Sequence, residues 1–162
     1  MSAVPPVGAT LPLSDTLLAP ASERGNTAVL FLGSGRQPCR SLAKELAASL
    51  ADPSVEPVVA DGDELVVVTD PAGADMFAGI GRLLIDENRE LRRALGVVAT
   101  PMAFGVDQAG VVCAADFVPD VDYVRELLAS CDRRAAAATA GPPTISVWHS
   151  AEIGGNRAAD RR

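Results

Sequence analysis

Long hydrophobic runs are missing from this 162-residue chain, although 48% of its residues are hydrophobic. No apolar stretch approaches the ~18 residues of a membrane-spanning helix, so no membrane partner is expected. Cysteine is scarce: Cys39, Cys113 and Cys131 stand far apart with no paired spacing, which excludes a small disulfide-stapled scaffold. A single histidine, His149, and three scattered cysteines cannot supply the clustered ligands of a zinc site, so no metal is expected. Positive charge is in deficit, with 14 Lys and Arg against 21 Asp and Glu, and the net charge of −7 argues against nucleic acid as a partner. Residues 1–20 contain no Lys or Arg and carry proline-rich interruptions. They do not read as a secretory signal, and the expected location is cytoplasmic. No phosphate loop, dinucleotide fingerprint or Gly-x-Ser-x-Gly elbow occurs, and no cofactor is expected. There is no internal repeat.

What is present reads as one domain over residues 1–140, long enough to bury about two thirds of its unfolded surface without disulfides or metals. Residues 1–25 read as loop, with a short strand near Leu11 to Leu13. Thr27 to Gly33 is an apolar run of strand length, as expected for a strand covered on both faces. A helix follows from near Pro38, with Leu42, Leu46, Leu50, Ala43 and Ala47 on its apolar stripe. Leu65 to Val68 is a second buried strand, and Pro57 to Ala60 is a candidate to pair with it across Asp61-Gly62-Asp63. Pro71 to Ile80 reads as a helix capped by Gly81, Leu83 to Asp86 as a short strand, and Glu87 to Leu95 as a helix ending at Gly96. Met102 to Val106 and Val111 to Phe117 flank a four-residue hairpin loop. The last helix runs from Asp120 to about Ala138, with Val121, Val124, Leu127, Leu128 and Cys131 on one stripe. Gly141-Pro142-Pro143 ends it, and residues 141–162, with Trp148 and His149, form a tail that is either flexible or a docking segment.

Residues 51–88 hold nine acidic side chains and one basic one, Arg82, while five arginines lie from Arg133 onward; both read first as solvated surface. Cys113 alternates with Val111, Ala115 and Phe117 on one strand face, and Cys131 lies on the apolar stripe of the last helix. Both read as small buried hydrophobes.

From Phe31 the chain resembles the active-site segment of the thioredoxin superfamily, in which a buried strand leads through a loop to a helix opening at Cys-x-Pro-Cys. Here the segment is Arg36-Gln37-Pro38-Cys39. Ala99-Thr100-Pro101-Met102-Ala103-Phe104-Gly105-Val106-Asp107-Gln108-Ala109-Gly110 is similar to the Gly-Thr-Pro-Thr-x-Phe-x-Ile-Asp-x-x-Gly segment of redoxins, whose Thr-Pro bond is cis and lies beside the active-site loop. Leu84 to Val97 is similar to the strand, turn and helix that lead to that proline. The likeness covers roughly residues 6 to 130 and is nearest to redoxins of cytochrome biogenesis and methylamine utilisation. It implies an α/β fold, a thioredoxin-like sandwich with a mixed central sheet and flanking helices.

Arg36 stands where the family has its attacking cysteine, so two-cysteine exchange has no nucleophile. A peroxiredoxin reading fails on the same residue. Cys39 occupies the place of the resolving cysteine. A helix N-terminus with Arg36 and Arg40 nearby favours a thiolate there, and burial disfavours it. Two functions stay open. One is an accessory or binding protein that uses Arg36, Gln37, Pro38, Thr100 and Pro101 to hold a protein or peptide. The other is a thiol-disulfide oxidoreductase acting through Cys39 alone with a low-molecular-weight thiol. Arg36 with Arg40 is also a candidate anion-binding fork.

Overall fold

The computed structural model describes residues 3–20, 25–60 and 62–140. The chain divides into two compact units, Met1–Asp132 and Arg133–Arg162, and the fold described here is that of the first. The tail from Gly141, with Trp148 and His149, lies outside the described residues.

Five strands, β1 (Thr27–Leu32), β2 (Glu64–Thr69), β3 (Arg82–Ile85), β4 (Met102–Val106) and β5 (Val112–Phe117), form one sheet in the order β3-β2-β1-β4-β5. The first three run parallel; β4 and β5 are antiparallel to their neighbours. Every residue of β1 is buried, which is why its sequence is an unbroken apolar run instead of an alternation. Ala28, Leu30 and Leu32 pack on one face of the sheet with Leu42 and Leu46 of α2 (Gln37–Ala51) and with Val124, Leu127 and Leu128 of α4 (Val121–Ala140). Val29, Phe31 and Phe104 pack on the other face with Leu11, Leu95, and Leu17 of the short helix α1 (Ser14–Leu17). Leu91 of α3 (Glu90–Ala94) lies against the same cluster. Phe31 and Phe104, diagonal neighbours on β1 and β4, meet edge to face at 6.1 Å, a geometry that adds about 0.5–1.5 kcal/mol to area burial. The result is the α/β sandwich of mixed sheet and flanking helices expected above.

Four local expectations are corrected. Leu11 to Leu13 is not a strand: Thr10 makes a single bridge to Val111, Leu13 turns into the left-handed region (φ 62°), and α1 follows. Pro57 to Ala60 forms no ladder with β2; Val58 is buried by side-chain packing alone. Pro71 to Ile80 makes only a 3-10 turn, Pro71–Gly73, capped by the Asp70 carboxylate. A Cβ at Gly73 would overlap the Thr69 hydroxyl, so this tight corner accepts only glycine. The buried face of α2 is Cys39, Leu42, Ala43 and Leu46, and Leu50 is 49% exposed. The stripe is therefore set from Cys39 at the start of the helix and does not reach its end.

Cys113 and Cys131 are also not independent hydrophobes. They form a disulfide, with 5.2 Å between their Cα atoms, linking β5 to α4. The register between β4 and β5 shifts so that Val106 faces Val112 and Gly105 faces Ala114. Cys113 is thus the extra residue of a β-bulge, which breaks the simple alternation and turns it toward α4.

Candidate functional site

The apolar run of β1 ends at Leu32, and Gly33-Ser34-Gly35 turns the chain, closed by the Arg36 N–H donating to the Gly33 carbonyl at 3.2 Å. Arg36 is extended (φ −106°, ψ 123°) and precedes α2, while Pro38 sits in the first turn, where its missing N–H costs nothing. Cys39 has 0% exposure, and its Sγ accepts a hydrogen bond from the Gly33 N–H at 3.2 Å. The thiol pins the loop to the helix from beneath.

Asp70, at the end of β2, fixes the loop from the side. Its Oδ2 accepts from both the N–H and the hydroxyl of Ser34, at 3.2 and 3.1 Å, and its Oδ1 accepts from the Gly73 N–H at 2.9 Å. Burial pushes this carboxyl up, but the bonds from Ser34 and Gly73 and the charge of Arg92 outweigh it and hold Asp70 below the usual carboxylate range. Arg40 folds back over the loop: Nη1 donates to the Ser34 carbonyl at 2.9 Å and Nη2 to Gln37 Oε1 at 2.8 Å.

The Thr100–Pro101 bond is cis and enters β4, whose Met102 pairs with Phe31 of β1. Buried Asp86 caps α3 by accepting from the N–H groups of Leu91 and Arg92, at 3.0 and 3.1 Å. Arg92 of α3 and Arg89, which precedes the helix in left-handed backbone (φ 57°), face the same cavity. That cavity, of about 300 Å³, is lined by Arg36, Arg89, Arg92, Asp70, Thr100 and Gly33, among others. A second cavity, of about 400 Å³, is nearly all apolar and is lined by Pro38, Pro101, Phe117, Val118, Pro119 and Tyr123.

The expected binding residues are therefore divided. Arg36 and Thr100 line the first cavity, and Pro38 and Pro101 line the second. Gln37 lines neither of them; its amide bonds Ser41 and Arg40. The expected fork of Arg36 with Arg40 does not form, because Arg40 is committed to Ser34 and Gln37. Arg89 and Arg92 take its place. Sequence reasoning missed them, although their spacing on the segment before Pro101 was the available signal. Among the described residues no group of His, Cys, Asp and Glu is arranged to hold a metal, and no helix is long and apolar enough to cross a membrane.

No family model and no curated protein sequence matches this chain. Solved structures do. A Chlorobium tepidum protein assigned as a thiol:disulfide interchange protein, DsbE, is 21% identical, with a TM-score of 0.57 over 78% of this chain and 98% of that one. AhpC of Mycobacterium tuberculosis is 16% identical, with a TM-score of 0.54 over 80% and 94%. A secreted M. tuberculosis disulfide oxidoreductase homologous to E. coli DsbE is 13% identical, with a TM-score of 0.51 over 68% and 85%. By strand order, register and these likenesses, the chain has the thioredoxin-like fold.

Proposed function

We propose that this chain is a redoxin-branch protein that has exchanged disulfide chemistry for binding, holding a protein or peptide partner in the groove beside Pro101. The observation that carries this reading is the position of Cys39: the one cysteine of the loop-to-helix corner has no exposed surface, and its sulfur is already engaged by the Gly33 N–H. The exposed position before α2 is held by Arg36, which cannot attack a disulfide. Exchange through Cys39 with a low-molecular-weight thiol, the alternative, needs that thiol to reach a sulfur buried among Leu42, Leu46 and their neighbours.

The groove suits an extended segment with apolar side chains. Pro38, Pro101, Val118 and Pro119 give it rigid walls, and Phe117, 52% exposed on its rim, is an aromatic anchor awaiting cover. The Tyr123 hydroxyl donates to Asp116, which holds the ring in place.

The Cys113–Cys131 disulfide favours an oxidising compartment over the expected cytoplasm, since reducing cytosol keeps such pairs as thiols.

Insulin reduction with a thiol reductant is the test of the catalytic half: we expect no turnover above background, and turnover comparable to a two-cysteine thioredoxin would overturn the proposal. For the binding half, peptides selected against the protein from a random library should lose about tenfold or more in affinity on Phe117→Asp. Selected peptides indifferent to that change would place the binding surface elsewhere.

A further inference from the structure

Arg36, Arg89 and Arg92 converge on one cavity that contains a single carboxylate, Asp70. Gathering like charges at a partly enclosed site costs free energy unless something neutralises them. In a chain with 21 acidic residues, carboxylates are plentiful. Yet the ion pairs of Arg82 with Glu64 and of Arg125 with Asp122 both lie outside this cavity. Asp70 does not neutralise the three. Both its oxygens are engaged by Ser34 and Gly73, and it acts on Arg92 only through its field. The cavity is left with an excess of two positive charges.

Its floor is shaped to keep donors open. A Cβ on Gly33 would sit 3.0 Å from Thr100 Oγ1, 3.2 Å from Arg36 Cγ and 3.4 Å from Arg92 Nη2. Glycine therefore leaves the Thr100 hydroxyl and two of the three arginines facing open space. Thr100 is itself only 5% exposed, so its hydroxyl is positioned by packing. Guanidinium groups match the planar fork of oxyanions, and a volume of about 300 Å³ suits a small ligand or the acidic end of a larger one.

We infer that this cavity is an oxyanion site for a doubly charged group, a phosphate monoester or a dicarboxylate, held by Arg36, Arg89, Arg92 and the Thr100 hydroxyl. The site does not depend on the apolar groove being a peptide site; it stands on the arginine cluster alone.

The test is titration calorimetry of the full chain at low ionic strength with inorganic phosphate and, separately, succinate. At least one should bind saturably, and the tighter of the two identifies the ligand source. Arg36→Gln and Arg92→Gln should each weaken that binding by about tenfold. Arg93→Gln removes the same charge from α3 outside the cavity and should leave binding within about twofold. The bound anion should also raise the melting temperature of the wild type and leave that of the Arg36→Gln/Arg92→Gln double variant unmoved, a readout that also shows the variant is folded. Absence of saturable binding by either anion overturns the inference. So does equal weakening by Arg93→Gln, which would mean diffuse surface charge.

Discussion

Cys39 and Arg36 stand on opposite sides of the corner where β1 leads into α2. Cys39 keeps the buried end, with its sulfur on the Gly33 amide, while Arg36 holds the solvent-facing end in extended backbone just before α2. The loop that separates them is short and ends in Pro38, so a thiol placed at position 36 meets a backbone already arranged around the thiol at 39. Arg36→Cys should therefore form a reversible disulfide with Cys39. Mass spectrometry of the mildly oxidised variant should show a linked peptide and the loss of two protons, whereas two freely alkylatable thiols would show that the loop holds the side chains apart. Asp70 is the other residue on which the corner turns. Its carboxyl is held below the usual carboxylate range in the folded protein, so its ionised form stabilises folding at pH values above the unfolded pKa. That contribution is lost as pH falls through the lowered folded value. Asp70→Asn keeps one acceptor oxygen and loses the other with the charge, and should cost about 1 kcal/mol at neutral pH, the scale of one net hydrogen bond. The gap in melting temperature between variant and wild type should close as the pH is taken well below 4. A gap independent of pH would mean that geometry, not charge, is what Asp70 supplies.

At the scale of elements, the bulge in β5 and the stripe of α4 act together. Cys131 is buried on α4, and its partner reaches it only because β5 carries one extra residue opposite Gly105 and Val106. The bond closes a loop of 18 residues in sequence separation, for which loop-closure entropy gives about 3 kcal/mol. The sheet itself is closed by burial of β1 against both clusters, with no covalent help. Cys113→Ala/Cys131→Ala should therefore remain folded, keep its circular dichroism spectrum, and lose about 3 kcal/mol in denaturant unfolding, with a slope as steep as the wild type's or steeper because the unfolded chain is no longer cross-linked. Identical midpoints for wild type and double variant would show that the pair contributes no constraint. Elements whose pattern is local were legible: β1 from its apolar run, α4 from its stripe, and the β4–β5 hairpin from its turn. The supposed helix at Pro71 was not: Pro71 and the Asp70 cap are genuine helix-start signals, yet the chain makes one 3-10 turn, Pro71–Gly73, and continues as turns.

For the whole molecule, the likeness of Phe31 to Cys39 and of Ala99 to Gly110 to redoxin segments led to the fold, since a buried parallel strand, a loop-to-helix corner and a hairpin in that order admit few sheet arrangements. The tertiary structure decided the site. It assigned Arg36 and Thr100 to one cavity and Pro38 and Pro101 to another, two adjoining surfaces with different linings. It withdrew Arg40 into a hydrogen bond with its own loop and brought Arg89 and Arg92 from more than forty residues away to stand beside Arg36. It also joined Cys113 to Cys131 through a register shift that strand alternation does not reveal. The division has a physical reason. Hydrophobic period and turn chemistry are local properties of a chain, set by neighbours within a few residues. Which charges share a cavity and which thiols meet depends on the register of strands and the faces on which helices are laid, and those are fixed only when the core closes.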